Sequence, residues 1–336
     1  MKLLIVTQKA DQSDFILGFF HSWLGAFASR TGHLTVLAQY VGQVSLPSNA
    51  TVCSLGKERG RPVWRQILTF WRLIWRMRSQ YGCVFVHMTP VWVILGWPVW
   101  FLLRKRVYLW YEIRRGSWLL TLALLLVRKV FCATVQGLPR PHRKQVVTGH
   151  GIDADTFRPD LALRKANCIV AVGRISRSKR YDEILRAFAL LPQTSRLVIA
   201  GGVMTQADEG EWENVQALLM QSGVAGRVEV RWIDPSEMPA FLQRATLMLH
   251  ACVGGLDKAV LEAMASGCPV VSSSAAAQEV LPERCRATPE TLGEVARSVL
   301  ALSEQERRIL SEEVRRKIVK GHSLPGLIER LAREME

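Results

Sequence analysis

The chain has 336 residues, 49% of them apolar, with a formal net charge of +15. That apolar share excludes disorder and supplies cores for two domains of ordinary size. Seven scattered cysteines, without a C-x-x-C pair or a His cluster, read as buried thiols in a reducing compartment and not as a metal site. The charge is uneven: 20 basic against 4 acidic side chains precede His150, and 24 against 25 follow from it onward. A basic half joined to a neutral one points to an anionic surface or ligand for the first half.

Met1 to Gln8 reads as a strand, too soon polar for a signal peptide. Lys2 to Val6 is its buried part. Phe15 to Arg30 has helical apolar spacing, and His33 to Gln39 and Ala50 to Leu55 read as strands. Pro62 suits the start of a helix over Val63 to Arg78. In it Trp64, Leu68, Trp71 and Trp75 recur at i, i+4, i+7 and i+11 among Arg65, Arg72, Arg76 and Arg78. Such a helix can simply cover a sheet. Three Trp with surplus Arg favour a helix lying at a lipid headgroup boundary.

Cys83 to His87 and Val107 to Tyr111 read as strands, Val91 to Leu103 and Trp118 to Val127 as very apolar segments edged by Arg104-Lys105-Arg106 and Arg128-Lys129. The apolar run Pro90 to Leu103 falls short of the roughly 20 residues a spanning helix needs. Apolar segments edged by basic residues recur three times. That pattern fits a monotopic surface drawn to anionic lipid, where each basic side chain contributes about 1 kcal/mol. Nucleic acid is discounted as a partner: the aromatics lie on apolar helices, not on an exposed strand platform.

Phe131 to Thr134 and Gln145 to Val147 close the first half, and the glycine-rich Thr148 to Asp153 marks a boundary. Domains are expected over 1–148 and 149–322, with a final helical piece over 323–336. A second alternation follows: strands at Asn167–Val172, Arg196–Ala200, Val228–Trp232, Leu247–His250 and Pro269–Ser273, with helices at Tyr181–Leu191, Glu211–Ser222, Glu237–Gln243, Lys258–Ser266 and Thr291–Leu302. Two successive β/α alternations imply an α/β chain with two doubly wound parallel sheets and a cleft between them.

Two stretches of the second half can carry chemistry. Val172 to Tyr181 leaves a strand and enters a helix, with the Arg174 fork and the Lys179 point charge suited to a diphosphate. Its plain alternative is a solvated basic loop. Gly254 to Val271 reads as a glycine turn able to take positive φ, an N-cap at Asp257, a short helix stopped by Gly267, and a buried strand. The helix N-terminus suits a phosphate, and Glu262 lies one turn further, where it could meet a sugar hydroxyl. The alternative is an ordinary loop–helix–strand unit.

Four motifs carry a family resemblance: Gly149-His150-Gly151-Ile152-Asp153 with Phe157 and Pro159; Gly173-Arg174 with Lys179; Ala200-Gly201-Gly202; and Leu261-Glu262-Ala263-Met264-Ala265-Ser266-Gly267-Cys268-Pro269-Val270. Together they resemble the retaining glycosyltransferases of family 4, the group 1 glycosyl transferases, which have the GT-B fold of two Rossmann-like domains. The resemblance implies that Arg174 and Lys179 hold the donor diphosphate, with Gly173 and Gly202 also among the donor-binding residues. It places Glu262 at the nucleotide ribose and backbone groups near Trp232, Ile233 and Asp234 at the base, with Gly254, Gly255, Leu256 and Leu261 also among the donor-binding residues. His150 and Arg114 would meet substrate, and the helix after Pro325 would cross back onto the first domain.

Three departures qualify this. The family's second carboxylate, eight residues before Glu262, is Gly254 here; Asp257 or Lys258 could replace it, the alternatives being an N-cap for Asp257 and an i,i+4 pair with Glu262 for Lys258. Where many relatives have a His after the fifth strand, Glu112 stands, as an acid/base, an acceptor contact or an Arg partner. The first strand leads into Gln8-Lys9-Ala10-Asp11, not a glycine-rich loop. The expectation is a protein peripheral to the cytoplasmic face of a membrane. It would move a sugar with retention from a UDP- or GDP-linked donor to a membrane-bound or lipid-linked acceptor, without cofactor or metal. A degenerate relative that binds nucleotide without turnover is the second reading.

Overall fold

Apolar runs set between helices form parallel strands, and the chain builds two such sheets. The computed structural model describes residues 1–14 and 16–336 and divides into two units, Met1–Gly151 with Leu324–Glu336, and Ile152–Ser323. Phe15, expected at the start of the first helix, lies outside the described residues.

In the first unit the strands are β1 (Lys2–Ala10), β2 (His33–Val41), β3 (Ala50–Ser54), β4 (Cys83–His87), β5 (Arg106–Trp110), β6 (Lys129–Cys132) and β7 (Gln145–Val147). They form one parallel sheet in the order β3-β2-β1-β4-β5-β6-β7. β1 runs four residues past the expected Val6, because Thr7, Lys9 and Ala10 stay in register with Ala38, Tyr40 and Val41 of the equally long β2. Helices α1 (Gly18–Arg30), α2 (Val63–Arg76), α3 (Pro90–Leu102) and α4 (Trp118–Leu126) connect them.

Alternate strand side chains go to opposite faces, so a sheet covered on both sides reads as continuous apolar sequence. On one face Phe20, Trp23 and Phe27 of α1 pack with Phe85, Tyr108, Trp110 and Phe131. On the other Phe70 and Ile74 of α2, Trp92 and Trp100 of α3, and Leu120 of α4 pack on Leu4, Val6, Val84 and Val86. The stripe of Trp64, Leu68, Trp71 and Trp75 does not face that core: these side chains are 41–57% exposed, while Gln66, Phe70 and Ile74 are buried. Trp71 Nε1 donates to Leu95 O at 2.8 Å, tying α2 to α3. No helix among the described residues is long and apolar enough to cross a membrane.

In the second unit β8 (Cys168–Val172), β9 (Arg196–Ala200), β10 (Val228–Arg231), β11 (Leu247–His250) and β12 (Val270–Ser272) pair in parallel in the order β10-β9-β8-β11-β12. The chain builds outward from β8 to β10, then jumps back to lay β11 on the other side of β8. That reversal makes the carboxyl ends of β8 and β11 the switch point, where open α/β sheets bind ligands. Helices α5 (Tyr181–Ala189), α6 (Glu209–Gln221), α7 (Met238–Arg244), α8 (Lys258–Ala265), α9 (Ala275–Gln278), α10 (Leu292–Leu300) and α11 (Glu304–His322) complete the unit. The last helix, α12 (Leu324–Met335), belongs to the first unit, where Leu327, Ile328, Leu331 and Met335 are buried in the α1 core.

Candidate donor site

At the switch point two loops leave neighbouring strands. Gly173, just after β8, has φ +145°, a conformation that side chains resist. The Tyr181 hydroxyl donates to Gly173 O at 2.6 Å. Gly201, at the end of β9, comes so close that a Cβ there would lie 1.9 Å from Gly173 O. These two glycines set the height of the loop, and Ile175 N–H bonds Gly202 O at 2.9 Å across it. After β11, Val253 N–H donates to Ser178 O at 2.8 Å, joining the second loop to the first.

Charge completes the junction. The Lys179 ammonium pairs with the Asp257 carboxylate, which also meets His250 Nε2 at 3.0 Å. His250 Nδ1 in turn lies 2.8 Å from Ser272 Oγ at the end of β12. Burial alone would raise the Asp257 carboxyl; the Lys179 ammonium and the His250 ring outweigh it and hold it far below the usual carboxylate range. The same balance works on Lys179: burial is the largest single influence and disfavours its charge, but Asp257 and Cys252 together outweigh it, and its proton is held tighter than usual. Arg174 is exposed and close enough to oppose that hold by repulsion. Burial first, then Asp257, pushes the Cys252 thiol up to about 12.

Several expectations change here. Asp257 occupies the N-cap position of α8, but its carboxylate makes no capping bond; it is turned to Lys179 and His250 instead. Lys258 does form the i,i+4 pair, its ammonium on Glu262. Neither Gly254 nor Gly255 takes positive φ; the left-handed glycine of this stretch is Gly267, at φ +69°, ending α8. A side chain at Gly254 would meet open space, with nothing within 4 Å of its Cβ. Leu256 and Leu261 are core residues, and Glu262 is buried on α8. Trp232 is exposed after β10 and Ile233 buried, while Asp234 accepts bonds from Ser236 N and Oγ in a local turn.

The cysteines do gain a His neighbour through the fold. His250, Cys252 and Asp257 offer ligand atoms within 4.8 Å of one another. The Asp257 carboxylate of this group is engaged by the Lys179 ammonium. His250 was missed in the sequence because it reads as the last letter of a strand. Its signal is a polar ring at the carboxyl end of a buried strand.

In the first unit, Glu112 follows β5 and accepts bonds from Ala133 N–H at 2.6 Å and the Thr134 hydroxyl at 3.1 Å. The geometry makes it a brace between the ends of β5 and β6. Arg114 is exposed beyond it, and His150 is buried beside Phe19, Trp23 and Trp110. A second histidine joins this aromatic group: His87, ending β4, stacks on Phe20 at 3.9 Å, and burial pushes its imidazole down to about 3. The following Met88 has φ +61°, rare for a side-chain-bearing residue.

Two parallel-sheet units of seven and five strands, with glycine-shaped loops at the switch point, define a GT-B architecture. Solved structures agree along the whole chain. HepE from Anabaena, in complex with UDP, is 14% identical with a TM-score of 0.78, covering 100% of this chain and 99% of that one. Sucrose-phosphate synthase from Thermosynechococcus elongatus is 14% identical with a TM-score of 0.75, covering 99% and 98%. The lipopolysaccharide outer core galactosyltransferase WaaB, in its apo form, is 13% identical with a TM-score of 0.69, covering 99% of each. At such identities these likenesses establish the fold.

In sequence, residues 166–305 match the family described as "Glycosyl transferases group 1". That match agrees with the motif resemblance at the level of the group 1 glycosyl transferases and lies within the second unit. No curated protein is similar enough in sequence to match.

Proposed function

We propose that the chain is a glycosyltransferase that binds a nucleoside diphosphate sugar at the carboxyl ends of β8 and β11 and passes the sugar, with retention, to a membrane-bound acceptor. The observation that carries this is Lys179, set on the Gly173 turn beside the N-terminus of α8 at the switch point. A diphosphate there meets the Lys179 ammonium, the Arg174 guanidinium and the positive end of α8. Retention asks for little protein chemistry in this reading: the leaving diphosphate takes the proton of the attacking hydroxyl on the same face. The protein contributes positioning and charge stabilisation. With Lys258 committed to Glu262, Asp257 is the better stand-in for the carboxylate absent at Gly254.

UDP is the nucleotide to try first, since HepE was solved with UDP and with UDP-glucose. The acceptor is read as lipid-linked because the first half is basic and α2 exposes three Trp. Calorimetry with UDP and GDP, beside a transfer assay on a donor and acceptor panel, tests the reading. Nucleotide binding with neither hydrolysis nor transfer would favour the degenerate binder, which the open Gly254 position motivates. Absence of nucleotide binding would sink both.

A further inference from the structure

Parallel topology gathers three distant basic turns of the first unit at one edge. α2 leads to β4 through Arg76 and Arg78, α3 to β5 through Arg104 and Lys105, and α4 to β6 through Arg128. Each crossover returns to the end where strands begin, opposite the carboxyl ends that serve ligand chemistry. The four acids of residues 1–149 all follow carboxyl ends: Asp11 and Asp14 after β1, Glu58 after β3, Glu112 after β5. The amino-end edge receives acids only from α12, and there Lys129 engages Glu334 at 2.8 Å.

Between the last two turns opens a cavity of about 400 Å³ lined by Trp97, Phe101, Arg104, Arg106, Leu126 and Arg128. Two neighbouring cations are already engaged: Lys105 Nζ donates to Arg78 O at 2.9 Å and Tyr81 O at 2.6 Å, and Arg106 donates to Glu336 O. Arg104 and Arg128 are exposed, and no carboxylate pairs with either among the described residues. Arg104 has φ +52° just past the end of α3, a position glycine fills without strain. The chain keeps a guanidinium there at a backbone cost. One wall is the stacked pair Trp97 and Phe101, with centroids 4.7 Å apart. Phe101 of this wall is 67% exposed, and its chain neighbour Leu102 and the Leu125 that precedes Leu126 are 70% and 69% exposed.

Paired forks suit phosphate oxygens, and exposed apolar side chains beside them suit the acyl boundary of a bilayer. We infer that this cavity receives the phosphate headgroup of an anionic membrane phospholipid. The inference rests on the membrane-associated reading above. It assigns a docking site at the amino-end edge, apart from the residues expected to handle donor or acceptor.

Co-sedimentation of the full chain with phosphatidylcholine vesicles, and with vesicles containing phosphatidylglycerol, tests it. Arg104→Gln with Arg128→Gln should lower partitioning onto the anionic vesicles about tenfold or more, by the size of the per-charge contribution. Lys57→Gln with Arg59→Gln, which removes the same charge after β3, should change it less than threefold. Arg104→Gly should weaken vesicle binding while keeping or raising Tm, which excludes misfolding as the cause. Inorganic phosphate should release the unaltered protein from the anionic vesicles better than chloride at equal ionic strength, and should lose that advantage in the Arg104→Gln, Arg128→Gln variant. Equal losses in the two double variants, or no loss in the first, overturns the cavity assignment and leaves the membrane reading standing. Phosphate binding to the cavity with no preference for the phosphatidylglycerol vesicles over phosphatidylcholine makes a free anion the occupant and also overturns it. If the unaltered protein ignores anionic vesicles altogether, the membrane reading itself has failed.

Discussion

Lys179 and Asp257 stand 78 residues apart in sequence, and their ion pair ties the loop after β8 to the loop after β11. A bound diphosphate would compete with Asp257 for that ammonium. Lys179→Met should therefore lower UDP affinity at least tenfold by calorimetry. It should also destabilise the fold by roughly 2–3 kcal/mol, because a largely buried carboxylate loses its partner. Lys179→Met combined with Asp257→Asn should recover part of that loss in chemical denaturation. Additive losses would show that the pair is not coupled.

Gly254 marks where relatives have a carboxylate, and its surroundings are open. Gly254→Glu should leave Tm within about 2 °C, as expected for a surface change without new contacts. If the family carboxylate is what turnover lacks, the variant should raise the transfer rate. A folded variant with an unchanged rate would point to Asp257 as already doing that work.

Gly201 admits no side chain. A Cβ there would be driven into the carbonyl of Gly173, and backbone cannot swing aside as a side chain can. Gly201→Ala should cost about 1–3 kcal/mol or more and weaken UDP binding through the displaced Gly173 turn. Thermal melting with and without UDP separates the two effects. A variant with unaltered melting and binding would contradict the close approach.

His87 gives an acid limb to stability. Its imidazole is held down to about 3, against an ordinary 6.5. The unfolded chain takes up a proton first as pH falls, so stability is full above 6.5 and declines between 6.5 and about 3. Asp257 adds a second loss only at lower pH, below its ordinary 3.8, since its carboxyl is depressed in the fold. His87→Phe should flatten the denaturation midpoint between pH 6.5 and 4, while Asp257→Asn should narrow its deficit only below that range. An unchanged slope in His87→Phe would remove the assignment.

Sheet parallelism and the group 1 resemblance were readable because each rests on local pattern. Buried runs such as Cys83–His87 have one meaning when helices alternate with them, and the Leu261–Val270 motif is specific by itself. Partners were not readable. Asp257 looked like a helix cap because its near neighbours are a helix; Lys179 and His250 reach it only through the jump from β10 to β11. The α2 stripe showed its period but not its direction, since Phe70 and Ile74 on the other side are equally apolar. β6 began at Lys129 and not Phe131, because pairing with Tyr108 sets its start and sequence does not display the partner strand.

The last helix has a consequence for how this protein is made. Leu324, Leu327, Ile328, Leu331 and Met335 fill a core whose other buried members lie within the first 133 residues. A ribosome therefore delivers the closing piece of the first unit only after all of Ile152–Ser323 has been synthesised. Until then the nascent unit carries an uncovered greasy face against α1, a binding site for a chaperone rather than for a substrate. Genetic truncation just before Leu324 should leave that face permanently open, and the product should aggregate with its second unit intact.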